Sequence, residues 1–191
     1  MEVGCFIGHN FRHLVYEGCP VTNVYGVDID NYWDLGFEMF CDRSFFHAHF
    51  IQADILSQAS SLLALKGNVD ILAMFQVFHQ LGWKHQIEAA KVLTTFTKVS
   101  SIIVGSQLGN LRAQEYQLKS VSTPAYVHNF ESLERFWNQF GDETQTQTKW
   151  KTQAWIRSFE SMGWDAAHSA WMEPRMEPPV DIIEFVITRV E

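Results

Sequence analysis

The chain has 191 residues, 47% of them hydrophobic, and carries 14 Lys and Arg against 22 Asp and Glu for a net charge of -8. That is enough apolar material for one sizeable core, so residues 1–191 are expected to form a single domain. The acidic balance, without a Lys/Arg cluster, argues against a protein that tracks nucleic-acid phosphates, and no apolar run approaches the roughly 20 residues of a membrane span.

In chain order, Glu2-Val3-Gly4-Cys5-Phe6-Ile7-Gly8 reads as the end of a strand running into a glycine turn. A helix follows over 10–17, with Phe11, Leu14 and Val15 at helical spacing and Gly18 and Pro20 as stops. Val24 to Ile29 is a short apolar strand with Asp28 near its end, and 33–41 is a second helix interrupted by Gly36. Strands are expected over 45–51, 69–75, 100–106, 150–157 and 180–189, and helices over 57–65, 84–98 and 129–140. The segment with Pro174, Pro178 and Pro179 reads as a loop. Alternating strands and helices predict an α/β Rossmann-like doubly wound sheet of seven strands. It should be mostly parallel with an antiparallel last strand, and its first strand truncated, since only Met1, Glu2 and Val3 precede Gly4.

In such a sheet the ligand lies beyond the carboxyl ends of the central strands. There Gly4 and Gly8 allow a sharp turn and close approach of a ligand, and Asp28 can accept hydrogen bonds from both hydroxyls of a ribose, which points to an adenosine-type ligand. The spacing narrows the choice. A dinucleotide fingerprint would need glycine where Phe6 and His9 stand, and no Gly-Lys-Ser/Thr is present for a P-loop. What remains, E-x-G-x-x-x-G, resembles the first motif of class I S-adenosylmethionine-dependent methyltransferases, with Phe6 replacing the middle glycine.

The runs Gly26-Val27-Asp28-Ile29, Trp33-Asp34-Leu35-Gly36, Phe78-His79-Gln80-Leu81-Gly82-Trp83, Gly105-Ser106-Gln107-Leu108-Gly109 and His128-Asn129-Phe130-Glu131-Ser132 sharpen the likeness. They resemble a fungal methyltransferase family of terpenoid and meroterpenoid biosynthesis. The resemblance implies S-adenosyl-L-methionine as cofactor and an O-methyltransferase acting on a small-molecule carboxyl or hydroxyl group. It implies cofactor contacts from Glu2, Gly4, Phe6, Gly8, Asp28, Ile29 and Phe75, with Asp54 near the adenine amino group and Ile55 on the ring. Trp33, Gln80 and Trp83, expected in loops at the ligand end, and Gln107, at the carboxyl edge of a strand, are the expected acceptor contacts. Methyl transfer from an activated sulfonium asks chiefly for placement and exclusion of water. An ionised carboxyl acceptor needs no base, whereas a hydroxyl acceptor would, and His79 is the candidate catalytic residue. His79 also reads as a loop histidine bonded to backbone, and Gln107 and His128 as caps of backbone groups.

His47 and His49 would share one strand face, but two ligands are too few, so no metal is expected. Cys5, Cys19 and Cys41 are odd in number and lack metal-type spacing, which predicts reduced thiols in a cytoplasmic protein. Two other readings stay open: a non-catalytic or partner-dependent relative that keeps the fold, and an NAD-linked oxidoreductase. The short front leads to the expectation of cofactor binding with weak transfer. A homodimer or a partner chain would then cover the truncated N-terminus.

Overall fold

The structure is a computed structural model and describes residues 1–57, 60–117, 124–143 (141–143 as backbone), 148–163 and 181–191. Seven strands form one sheet: β1 (Glu2–Val3), β2 (Tyr25–Asp28), β3 (His49–Gln52), β4 (Val69–Phe75), β5 (Thr97–Gly109), β8 (Trp150–Arg157) and β9 (Asp181–Arg189), in the spatial order β3-β2-β1-β4-β5-β9-β8. A separate two-stranded hairpin joins β6 (Gln114–Tyr116) to β7 (Ala125–Val127). Pairings from β3 through β5 are parallel, and β9 runs antiparallel to both β5 and β8. Strand order therefore reverses at β1, which pairs with β2 on one side and β4 on the other, placing the ligand crevice of a doubly wound sheet beside it. Sheet pairing begins at Met1, whose carbonyl accepts the Ala73 N–H at 2.8 Å.

Alternate residues of β2 feed two cores. Val27 lies in the large cluster that α3 (Trp83–Thr94) and α4 (Phe130–Glu143) build with the strands, with Leu72, Ile103, Ile183 and Ile187 among its fully buried members. Gly26 faces Cys5 and Trp33 in an aromatic cluster under α1 (His9–Tyr16) and α2 (Trp33–Phe40). Trp137 and Trp150 pack in the large core with ring centroids 5.3 Å apart.

Several expected boundaries move for identifiable reasons. The strand expected over 45–51 begins only at His49, because Phe45 and Phe46 donate back to Asp42 O in a turn and Asp42 is held by Arg12. The helix expected over 84–98 stops at Thr94, where the Thr94 and Thr95 hydroxyls donate to carbonyls of the preceding turn and the chain enters β5. β5 is 13 residues long, and its register against β4 shifts between Val69 and Ile71, across from Ser100 at φ 74. The helix expected over 57–65 is a 3₁₀ helix, Ser60–Leu65. The β6–β7 hairpin has no counterpart in the sequence reading, and the proline loop lies outside the described residues.

Candidate cofactor and acceptor site

Between β1 and α1 the backbone takes three left-handed turns, at Gly4 (φ 69), Phe6 (φ 47) and Gly8 (φ 73). A Cβ on Gly4 would lie 2.5 Å from Val77 Cγ2, so glycine is required there both for its dihedral and for the loop after β4. Phe6 holds its left-handed conformation at a cost of about 1 kcal/mol. Two contacts offset that cost: its N–H donates to Asp28 Oδ2 at 2.8 Å, and its ring lies 5.0 Å from that of Tyr32. Asp28 Oδ1 accepts the Asp30 N–H at 3.3 Å. A carboxylate has about four acceptor positions, so this one can brace the loop and still receive ribose hydroxyls. α1 starts at Gly8 with no side-chain cap, leaving its first-turn N–H groups for a ligand.

Arg12 holds the loop from below. Its Nη1 donates to Ile7 O at 2.6 Å and Gly8 O at 3.1 Å, while Nε and Nη2 grip Asp42 at 2.5 and 3.0 Å. The guanidinium also lies 4.5 Å from the rings of Phe40 and Phe46. Arg12 lies outside the glycine motif, and a lone arginine among the apolar positions of α1 is its one signal in the sequence. Glu2, 2% exposed, accepts from Asn10 Nδ2 at 2.6 Å, tying β1 to α1. Burial pushes its carboxyl up to about 7 against the lowering effect of Asn10.

The remaining cofactor candidates sit on the same edge. Asp54 follows β3, accepts the Leu56 N–H on Oδ1 at 2.8 Å, and is succeeded by half-buried Ile55. Ile29 follows β2 and Phe75 ends β4, 61% and 39% exposed, and both offer apolar surface beside the loop. Gln76, not among the expected site residues, turns left-handed (φ 59) and donates to Ser106 Oγ and Ser106 O, joining the ends of β4 and β5.

Of the acceptor candidates, His79 lies in the turn after β4 and Gln107 near the end of β5. His79 is 8% and Gln107 1% exposed, and His79 Nδ1 and Gln107 Nε2 are buried with no partner among the described residues. Burial lowers the His79 pKa to about 4, so its ring is neutral at physiological pH. Gln80 Nε2 donates to Gln76 O at 2.8 Å, and half-buried Trp83 packs on Tyr126 with centroids 4.8 Å apart. Trp33 is a correction: it begins α2 rather than lying in a loop, is 4% exposed, and packs against Phe11, Phe37, Phe46 and Phe50. Its Nε1 donates to Cys5 Sγ at 3.4 Å, so Trp33 supports the glycine loop from the core.

No protein-family model matches the chain. It is 32% identical over 151 residues, 77% of its length, to O-methyltransferase phiE of a fungal species (strain ATCC 74256). It is 30% identical over 171 residues to O-methyltransferase atr3 of Stereocaulon alpinum, and 31% over 161 residues to methyltransferase ausD of Penicillium brasilianum. The chain spans 50%, 48% and 57% of these proteins, about half the length of each. Among solved structures it resembles the Burkholderia thailandensis 1,6-didemethyltoxoflavin-N1-methyltransferase with bound S-adenosylhomocysteine (TM-score 0.66, 8% identity, 100% of this chain and 70% of that one). It also resembles the [4+2]-cyclase SpnF (TM-score 0.68, 11% identity, 98% and 73%). At such identities the likeness is one of fold. No helix among the described residues is long and apolar enough to cross a membrane. The chain is a homologue of fungal methyltransferases and carries the Rossmann-like fold of S-adenosylmethionine-dependent methyltransferases.

Proposed function

We propose that this chain binds S-adenosyl-L-methionine at the carboxyl edge of β1 to β4 and serves an O-methyltransferase reaction on a small, largely apolar intermediate of fungal terpenoid or meroterpenoid metabolism. The observation that carries the reading is the Phe6 N–H to Asp28 brace at the point where strand order reverses. It holds an acidic side chain and a left-handed glycine loop as one unit, and the donor set beside them suits a ribose and the polar end of an amino acid. Gly4, Phe6 and Gly8 would shape the cradle, Asp28 would take the ribose, and Asp54 and Ile55 the adenine, with Ile29 and Phe75 against it. Glu2 would act through Asn10 on the start of α1. The cofactor, when bound, supplies an activated methyl group.

The chain's own residues then have to place an oxygen and keep water out. His79 Nδ1 and Gln107 Nε2, buried polar atoms without a partner among the described residues, are suited to hold that oxygen. The neutral His79 ring can take the proton of a hydroxyl acceptor; a carboxyl acceptor arrives ionised and needs only placement. Gln80 and Trp83 would border the acceptor, while Trp33 acts through the loop. The same fold serves a [4+2]-cyclase, so binding and turnover are separate questions. Incubation with methyl-labelled cofactor and a fungal metabolite extract should give a labelled, extractable small product. Binding without any labelled product would favour a non-catalytic or partner-dependent relative.

A further inference from the structure

We propose that Gln86 and His128 are positioning residues that fix the turn carrying His79, an inference that rests on reading that turn as the acceptor side of the site. Gln86 lies in the first turn of α3 and is wholly buried. Its Nε2 lies 3.0 Å from Phe78 O, 3.0 Å from Leu81 O and 2.9 Å from Tyr126 O. Three carbonyls around one atom identify it as the amide nitrogen, since an oxygen there would face only acceptors. Gln86 Oε1 then faces His128 Nε2 at 2.8 Å, so that ring nitrogen carries the proton and donates. His128 Nδ1 is left to accept from the Ser132 hydroxyl at 2.9 Å, and Ser132 Oγ accepts the Asn129 N–H at 3.0 Å at the start of α4.

Two of the three carbonyls that Gln86 holds, those of Phe78 and Leu81, flank His79, one residue before it and two beyond. Leu81 O also accepts the Tyr126 N–H at 2.9 Å, so the turn, β7 and α4 share one fastening. His128 is 0% exposed, and burial lowers its pKa to about 3, which keeps the direction of every bond in the chain fixed at physiological pH. The rings of Trp83 and Phe136 pack over His128 at 5.8 and 5.5 Å. None of these residues belongs to the glycine loop or to the Asp28 brace, so loosening them should spare cofactor affinity while freeing His79.

The test compares Gln86→Met, which keeps length and volume but loses every hydrogen bond, with Leu93→Ala, a core truncation on the same helix that touches none of the three carbonyls. Amide hydrogen exchange on the 191-residue chain should show Gln80, Leu81 and Tyr126 exchanging about tenfold faster in Gln86→Met relative to amides of β5 and β9. Leu93→Ala should change the two groups alike. The His79 imidazole nitrogen resonances should shift in Gln86→Met only, with S-adenosylhomocysteine affinity kept. Ser132→Ala, a milder cut further along the same chain of bonds, should loosen the same amides less, and it decides the matter if Gln86→Met does not fold. Equal exchange patterns in the glutamine, serine and leucine variants, or an unmoved His79 signal, would overturn the proposal. A wild-type chain that fails to bind S-adenosylhomocysteine would instead count against the proposed function, and the exchange comparison would still judge the fastening.

Discussion

Glu2 shows how far a residue of the glycine-loop motif is committed to structure. Its carboxyl is buried on the central strand and bonded to Asn10, with a pKa raised by burial from 4.5 to about 7. A raised carboxyl favours the fold fully below 4.5 and loses that contribution as pH rises through 7, a difference of about 3 kcal/mol. Glu2→Gln keeps an oxygen for Asn10 and removes the ionisation. Denaturant unfolding should therefore show the variant more stable than wild type by up to about 3 kcal/mol at about pH 8, with the gain vanishing below about pH 4.5. A variant less stable at the higher pH would mean that the carboxylate itself is what the fold uses.

At the scale of elements, α2 sets helix propensity against packing. Gly36 in its middle should be improved by alanine by about 1 kcal/mol on propensity alone. A Cβ there would lie 2.4 Å from Ile7 O, inside the glycine loop, and overpacking of this kind costs about 1 to 3 kcal/mol. The clash is with backbone and cannot be relieved by a rotamer, so packing should win. Gly36→Ala should lower the melting temperature and weaken S-adenosylhomocysteine binding together; a rise in melting temperature would show that the helix does not press on the loop. β4 and β8 were legible to the residue because each is a β-rich run of the right length, and the glycine turn after β1 and the acidic end of β2 because strand, turn, helix and acid follow one another closely. The turn at 42–46 was not legible, since its cause is Arg12, thirty residues away. Trp33 was misplaced because sequence locates a residue at a helix start without saying which way its ring points. The Gln86–His128 bond joins residues 42 apart with no local pattern between them.

For the whole molecule, three buried groups combine into a pH response. His79 and His128 are held neutral, with pKa values lowered from 6.5 to about 4 and about 3, so below pH 6.5 the unfolded chain takes up two protons that the fold refuses. Between 4.5 and 6.5 the fold keeps one extra proton on Glu2, which leaves a net uptake of one proton on unfolding. Stability should then fall on acidification by about 1.4 kcal/mol per pH unit across that range. Urea titrations at several pH values check it, and stability that is flat or rises toward acid would contradict the neutral histidines. The central claim is that the glycine loop and Asp28 form one adenosine-binding unit, and calorimetric titration with S-adenosylhomocysteine, on wild type and Asp28→Ala, tests it most directly. Wild type should bind saturably and, because hydrogen bonds to a charged acceptor contribute about 1.5 to 3 kcal/mol, Asp28→Ala should bind about tenfold or more weakly. Equal affinities, or binding of NADH in preference to S-adenosylhomocysteine, would contradict it.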